Sequence, residues 1–298
     1  MDQMPRQTTK SALKLVVAAT DFSARSDRAV RRAALIARKA GARLVIVHVV
    51  DDDQPERIVA AECDLAETAL ADAIREHAYL TDLNCSPLVV RGTPFDGIVR
   101  AAQQMAADLC VIGSHRRAFL RDIFVGTTAE RVIRNSSIPV LMANIDAALP
   151  HTSCLAPVEL SACSARALTV ARSLGLLPRT RVAILHVYDA AAAGMLSYAG
   201  VHKGKVDDYL AQSRVEAVRD LVRFLEPLDL GEVDYTTLVR EGIAPSTIVD
   251  VATEMRPDLV VIGTHGRQGA IRMLLGSVTE EVLRRLRQDI LVVPVRDA

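Results

Sequence analysis

Tryptophan is absent, and aromatic residues make up only 3% of the 298 residues. Stacking platforms for single-stranded nucleic acid are therefore poorly supplied. Net charge is also missing: 36 basic residues balance 36 acidic ones at a pI near 7.1. No overall field draws in a nucleic acid or an anionic membrane. No apolar run approaches the roughly 18 residues of a membrane span. The stretch from Leu13 to Ala19 stops at Asp21, and with no small-residue cleavage site after it, it reads as a first strand rather than a signal peptide. Cys63, Cys85, Cys110, Cys154 and Cys163 show no paired spacing, which points to reduced, mostly structural thiols and a cytoplasmic location.

What the chain does have, it has twice. Gly263-Thr264-His265-Gly266 is followed after nine residues by Gly276-Ser277, and Gly113-Ser114-His115-Arg116 is followed at the same distance by Gly126-Thr127. Each copy comes after a short apolar run, Leu259 to Ile262 or Leu109 to Ile112, and before a helical pattern. A glycine-rich turn between a strand and a helix can cradle a phosphate, because open backbone N–H groups and the positive helix end face the same anion. The repetition extends through the chain: Thr20-Asp21-Phe22-Ser23 matches Val158-Glu159-Leu160-Ser161, and Pro139-Val140-Leu141 matches Asp289-Ile290-Leu291. The offset is 138 residues from His48 to His186 and 150 from Gly113 to Gly263, so the second copy holds 12 extra residues, around Ala190 to Leu210. Two domains are expected, 1–146 and 147–298, each able to bury its own core.

Each half reads as five strands alternating with four helices. In the first half the strands are Lys14 to Ala19, Arg43 to Val50, Pro87 to Arg91, Leu109 to Ile112 and Pro139 to Ala143. The helices between them run from Ser23 to Ala40, closed by Gly41, then Ala60 to Leu80, Asp96 to Ala106 and Thr127 to Arg134. Continuous apolar strands alternating with helices imply α/β domains, each a five-stranded parallel sheet covered on both faces. Ligands of such sheets bind beyond the strand C-termini where the winding reverses. The ends of the first and fourth strands, Asp21 with Gly113 or Glu159 with Gly263, then wall one crevice.

The run from Gly263 through Glu280 resembles the ATP-binding signature of the universal stress protein family, and Thr20-Asp21-Phe22-Ser23, His48-Val49 and His186-Val187 resemble its other marks. The likeness covers nearly the whole chain, twice. It implies two tandem flavodoxin-like/Rossmann-like domains paired through their last strands as an intramolecular pseudo-dimer, with a cytoplasmic stress-response role and little catalysis. Carried over, it implies adenine and ribose against Glu159 and Val187, and phosphates against Gly263, His265, Gly266, Gly276, Ser277 and Val278. The first-half equivalents are Asp21, Val49, Gly113, His115, Gly126, Thr127 and Thr128. The cofactor implied is ATP, with Mg²⁺ arriving alongside the nucleotide. An unidentified protein partner is also implied, and homodimerisation stays open.

The halves depart from the pattern at opposite ends. Arg116 replaces the second glycine and Phe119 stands opposite Gly269, whereas Glu159 is one methylene longer than the expected aspartate. A missing glycine is the harder loss to make good, so ATP is expected mainly in the second half. Arg116 reaching back to a phosphate as a charged donor would rescue the first. Thr127 to Glu130 and Ser277 to Glu280 also fit a Ser/Thr-x-x-Glu capping box, which accounts for the hydroxyls without a ligand. His48 and His186 end apolar strands and read as structural groups, and Asp51-Asp52-Asp53 as a solvated loop rather than a metal site. The segment Ala190 to Leu210 is either a mobile lid or a plain loop. The Gly-x-x-x-x-Gly-Lys-Ser/Thr loop is absent, and no general-base constellation is visible. A nucleotide-dependent regulatory module is therefore favoured over a slow ATPase or a ligand-free scaffold.

Overall fold

The computed structural model describes residues 12–114, 127–190, 199, 202–264 and 275–295. The first half comprises β1 (Leu15–Ala19), α1 (Ala24–Ala40), β2 (Arg43–Val50), α2 (Glu56–Glu76), β3 (Cys85–Arg91), α3 (Pro94–Gln104), β4 (Leu109–Gly113), α4 (Thr128–Asn135) and β5 (Val140–Ala143). The second repeats the order as β6 (Ser153–Val158), α5 (Ala162–Ser173), β7 (Arg181–Tyr188), α6 (Lys203–Leu225), β8 (Tyr235–Glu241), α7 (Ala244–Met255), β9 (Leu259–Gly263), α8 (Ser277–Arg285) and β10 (Asp289–Val293). α1 begins at the Ser23 side-chain cap and ends at Gly41, whose φ of 67° supplies the left-handed turn that a Cβ would disfavour. α2 starts four residues earlier than its apolar pattern suggests. Pro55 at its N-cap has φ −56°, already helix-compatible, so the helix begins at once behind it.

The strands form one ten-stranded sheet in the order β3-β2-β1-β4-β5-β10-β9-β6-β7-β8. Within each half all pairs are parallel, with the 3-2-1-4-5 winding of the Rossmann type. The halves join antiparallel through β5 and β10, with Leu141 opposite its own repeat equivalent Leu291. The last strands thus cover each other's edges inside one chain. Alternate strand residues face opposite layers. Val16, Ala18, Leu44 and Ile46 pack with α1 residues on one face, while Val17, Val45 and Val47 pack with α3 residues on the other. Both layers run unbroken into the second half, through Leu155, Ala183 and Val260 on one side and Ala156, Ile184 and Val261 on the other.

A buried ionic knot reinforces the join. Asp289, the first residue of β10, is fully buried. Its Oδ1 accepts from the backbone N–H of Asn144 at 2.8 Å and of Ile145 at 3.1 Å, and its Oδ2 accepts from His151 Nε2 at 2.9 Å. Arg32 of α1 brings Nε within 2.7 Å of the same Oδ2 and donates from Nη1 to the Leu149 carbonyl at 2.8 Å. The Arg32 Nε is not aligned for a hydrogen bond, so its contact with the carboxylate is ionic. All five cysteines are free thiols. Burial pushes the Cys110 thiol up to about 12, and raises Cys154 further, which keeps both protonated and inert.

Candidate functional site

The winding order reverses between β1 and β4, and a cavity of about 350 Å³ opens there in the first half. Asp21, His48, Val49, Gly113, Thr127 and Thr128 line it, so five of the seven first-half residues expected at a ligand share one space. His115 and Gly126 lie outside the described residues, as do Arg116 and Phe119.

The geometry around Asp21 is set by a strained turn. Phe22 has φ 58° and Leu160, its repeat equivalent, φ 59°, so two non-glycine residues hold the left-handed region at the same place. That turn aims the carboxylate past the strand end. Asp21 Oδ1 accepts from the Ser23 N–H at 3.1 Å and from the Ser23 hydroxyl. Arg25 Nη2 stands 4.0 Å from Oδ2. Burial works to raise the Asp21 pKa, but hydrogen bonds from Ser23 and Ser26 and the Arg25 charge together hold it below the ordinary carboxylate value. At neutral pH the group is an acceptor only, suited to hydroxyl or amino donors.

The second half copies this frame with a longer acid. Glu159 Oε1 accepts from the Ser161 hydroxyl at 2.8 Å, and the Glu159 N–H donates to Ser164 Oγ at 3.1 Å, matching the 3.2 Å bond from the Asp21 N–H to Ser26 Oγ. His48 and His186 each bond through Nδ1 to the carbonyl at the preceding strand end, Thr20 at 2.9 Å and Val158 at 3.0 Å. Both are positioning groups, in keeping with their place at strand ends. Ser26 and Ser164 were missed as site residues, although their repetition three residues after Ser23 and Ser161 is visible in the sequence.

Two expected phosphate glycines have another physical reason to be glycine. A Cβ on Gly113 would stand 2.9 Å from the Arg25 carbonyl oxygen, and one on Gly263 would stand 2.4 Å from Cys163 Sγ. The first turn of each repeat's first helix passes directly over the end of its fourth strand. Close helix–strand packing therefore suffices to require these glycines.

The helices that follow the glycine loops start differently. α4 is capped by Thr127, whose hydroxyl accepts from the Glu130 N–H at 3.1 Å, so the hydroxyl half of the capping box forms there. In the second half it does not: Gly276 is the N-cap, without a side-chain cap bond, and Ser277 is the first helical residue. The Gly276 N–H goes to the Thr264 carbonyl at 2.9 Å, and Thr279 Oγ1 donates to the Gly263 carbonyl at 2.8 Å. The N–H groups of Ser277 and Val278 have no hydrogen-bond acceptor among the described residues. His265 and Gly266 lie outside those residues, as does Gly269. Arg134 of α4 contacts Glu130 and reaches Glu280 of α8 at 3.0 Å, linking the two helix starts across the join.

Asp51, Asp52 and Asp53 place their carboxylates within 4.8 Å of one another but are all exposed, in keeping with a solvated loop. Of the segment Ala190 to Leu210, residues 191–198, 200 and 201 lie outside the described ones, and α6 occupies the rest from Lys203.

The same architecture is found in known proteins. A model of the universal stress protein family matches residues 13–144 and, again, 151–294. The chain belongs to the universal stress protein family. Its two matched regions make it a tandem member, consistent with a Mycobacterium tuberculosis universal stress protein that is 26% identical over 293 residues, covering 93% of this chain and 96% of the relative. A shorter universal stress protein, from Methanocaldococcus jannaschii, is 26% identical over 150 residues, 47% of this chain and 92% of the relative. Among solved structures, a universal stress protein from Archaeoglobus fulgidus superposes with a TM-score of 0.66 at 19% identity, covering 94% of this chain and 98% of that one. That likeness supports the paired-domain fold. Among the described residues no helix is long and apolar enough to cross a membrane.

Proposed function

We propose that this universal stress protein is a nucleotide-dependent regulatory module that binds ATP mainly through its second half. The observation that carries the assignment is the unequal start of the two phosphate-side helices. α4 opens on Thr127, whose side chain caps the helix, whereas α8 opens one residue earlier on Gly276, which puts no side chain in front of the Ser277 and Val278 N–H groups. An uncapped helix N-terminus beside a glycine-rich loop suits an anionic phosphate chain. Glu159 and Val187 would receive the base and ribose, and His265 and Gly266 would complete the cradle. Mg²⁺ would enter bound to the phosphates rather than in a protein cage.

The first half keeps the opposite end. Its cavity and the ionised Asp21 suit a nucleoside, while Thr127 and Arg116 leave less for a phosphate chain. Calorimetric titration with ATP and Mg²⁺ should therefore find one equivalent bound per chain. Arg116→Gly should raise the count toward two, and Glu159→Asp should tighten the existing site without changing it. Two equivalents on the wild-type chain, or binding lost in Asp21→Ala but kept in Gly266→Val, would place ATP in the first half.

A further inference from the structure

A second concavity lies beside α2 in the first half, apart from the ligand cavity. Phe22, Val50, Glu62, Leu65, Ala66 and Ala69 line a space of about 280 Å³ there. The four α2 residues recur at three- and four-residue spacing, which puts them on one side of the helix. Val50 and Ala66 are buried, but Phe22 is 48% and Leu65 71% exposed. The Phe22 ring is fixed in place by the left-handed turn at its own backbone, φ 58°, and by the His48 ring 4.5 Å away. An exposed aromatic and an exposed leucine around one concavity mark an interaction site rather than the scattered apolar residues of an ordinary surface. The repeat provides an internal control. Matching the buried pair Ala66 and Leu70 to Ala217 and Leu221 of α6 sets Leu65 against Glu216 and Ala69 against Asp220, and Phe22 falls opposite Leu160. The second half builds the same frame with two acids in place of the apolar centre, so the fold does not require that centre.

In the first half the acids stand around the apolar centre instead. Asp51, Asp52, Asp53, Glu56 and Glu62 face Arg57 alone between positions 51 and 62, in a chain with no net charge. Glu56 is engaged by Arg91 at 2.7 Å. Asp51, Asp52 and Asp53 are exposed, lie within 4.8 Å of one another and follow directly on Val50, so three carboxylates crowd at one end of the groove. Glu62, inside it, bonds to the neutral Gln54 at 3.4 Å. The space falls below the roughly 300–1,000 Å³ of small-molecule sites but exceeds the roughly 150 Å³ cavity that holds benzene, so it suits one large apolar side chain. We infer that this groove docks a basic amphipathic segment of a partner protein. One apolar side chain of the segment sits between Phe22 and Leu65, and flanking lysine or arginine residues meet Asp51, Asp52, Asp53 and Glu62. The apolar seat supplies the anchor, and the acidic rim selects the partner by charge. An acidic segment or a nucleic acid is repelled by the same rim.

Fluorescence anisotropy of the full chain with a labelled amphipathic peptide of about 14 residues, leucines on one helical face and lysines on the other, tests this. Binding should saturate at one peptide per chain, and be at least about tenfold tighter than that of an all-lysine peptide or of one with glutamate in place of lysine. Leu65→Glu combined with Ala69→Asp, which installs the second half's residues, is the deciding variant. It adds two negative charges yet removes the apolar seat, so peptide binding should weaken about tenfold or more. Both positions are exposed, and the circular dichroism spectrum should be unchanged. Asp51→Asn, Asp52→Asn, Asp53→Asn and Glu62→Gln together should weaken binding at low salt by about tenfold and flatten its salt dependence. Tighter or unchanged binding in the Leu65→Glu/Ala69→Asp variant would reduce the effect to diffuse charge attraction and overturn the assignment. So would the absence of saturable binding to wild type. A wild-type chain that self-associates, and loses this in the same variant, would give the groove to a second copy instead.

Discussion

Asp289→Ala is expected to destabilise the protein by about 3–5 kcal/mol, the cost of leaving a buried guanidinium without its counter-ion. Arg32 is 2% exposed and Asp289 0%, so water cannot take the place of either partner. The loss reaches further than one ion pair, because the same carboxylate accepts the Asn144 and Ile145 N–H groups and His151 Nε2. It thereby fastens the connection between β5 and β6 to a helix of the first half and a strand of the second. Asp289→Asn should cost less, since the amide oxygen can still accept two backbone hydrogen bonds. Arg32→Met combined with Asp289→Ala should recover part of the loss, because no uncompensated charge then remains inside. Urea unfolding midpoints at unchanged m-value measure each effect. A loss below about 1 kcal/mol in Asp289→Ala would mean that the knot is incidental to stability.

That knot was not legible in the sequence, and the reason is physical. In the repeat Asp289 falls opposite Pro139, and Arg32 opposite Val170, so each looks like ordinary divergence. Only the antiparallel join of β5 and β10 brings residues so far apart in the chain together. Strands were easier. Arg43 to Val50 and its counterpart Arg181 to Tyr188 are apolar runs bounded by polar residues, and β2 has the limits its pattern predicts. Site residues that follow from local spacing also came together: Asp21, Val49 and Thr127 were matched from the repeat and line one cavity. The sequence says less where a residue answers to a distant neighbour. Gly113 and Gly263 read as phosphate glycines, yet each also lies against the first helix of its own half. Ser277 reads as a cap like Thr127, but the Thr264 carbonyl takes the Gly276 N–H, and the helix starts one residue earlier.

That shifted start makes Ser277→Pro the sharpest test of the proposed phosphate site. Proline is favoured at the first helical position, where its missing N–H has no intrahelical partner to lose. Gly276 before it, at φ −63° and ψ 148°, already has the extended conformation that a residue preceding proline prefers. Stability should consequently stay near that of the wild type. Binding should not: the substitution deletes one backbone donor and the Ser277 hydroxyl together, the two groups of Ser277 proposed to serve the phosphates. Charge-assisted hydrogen bonds contribute roughly 1.5–3 kcal/mol each, so ATP should weaken by about ten- to a hundredfold. AMP should weaken less, since the base and ribose contacts proposed for Glu159 and Val187 would be untouched. Ser277→Ala separates the two donors, removing the hydroxyl and keeping the N–H. Unchanged ATP affinity in Ser277→Pro would show that phosphates do not use the start of α8, and equal weakening of ATP and AMP would point to a disturbed fold.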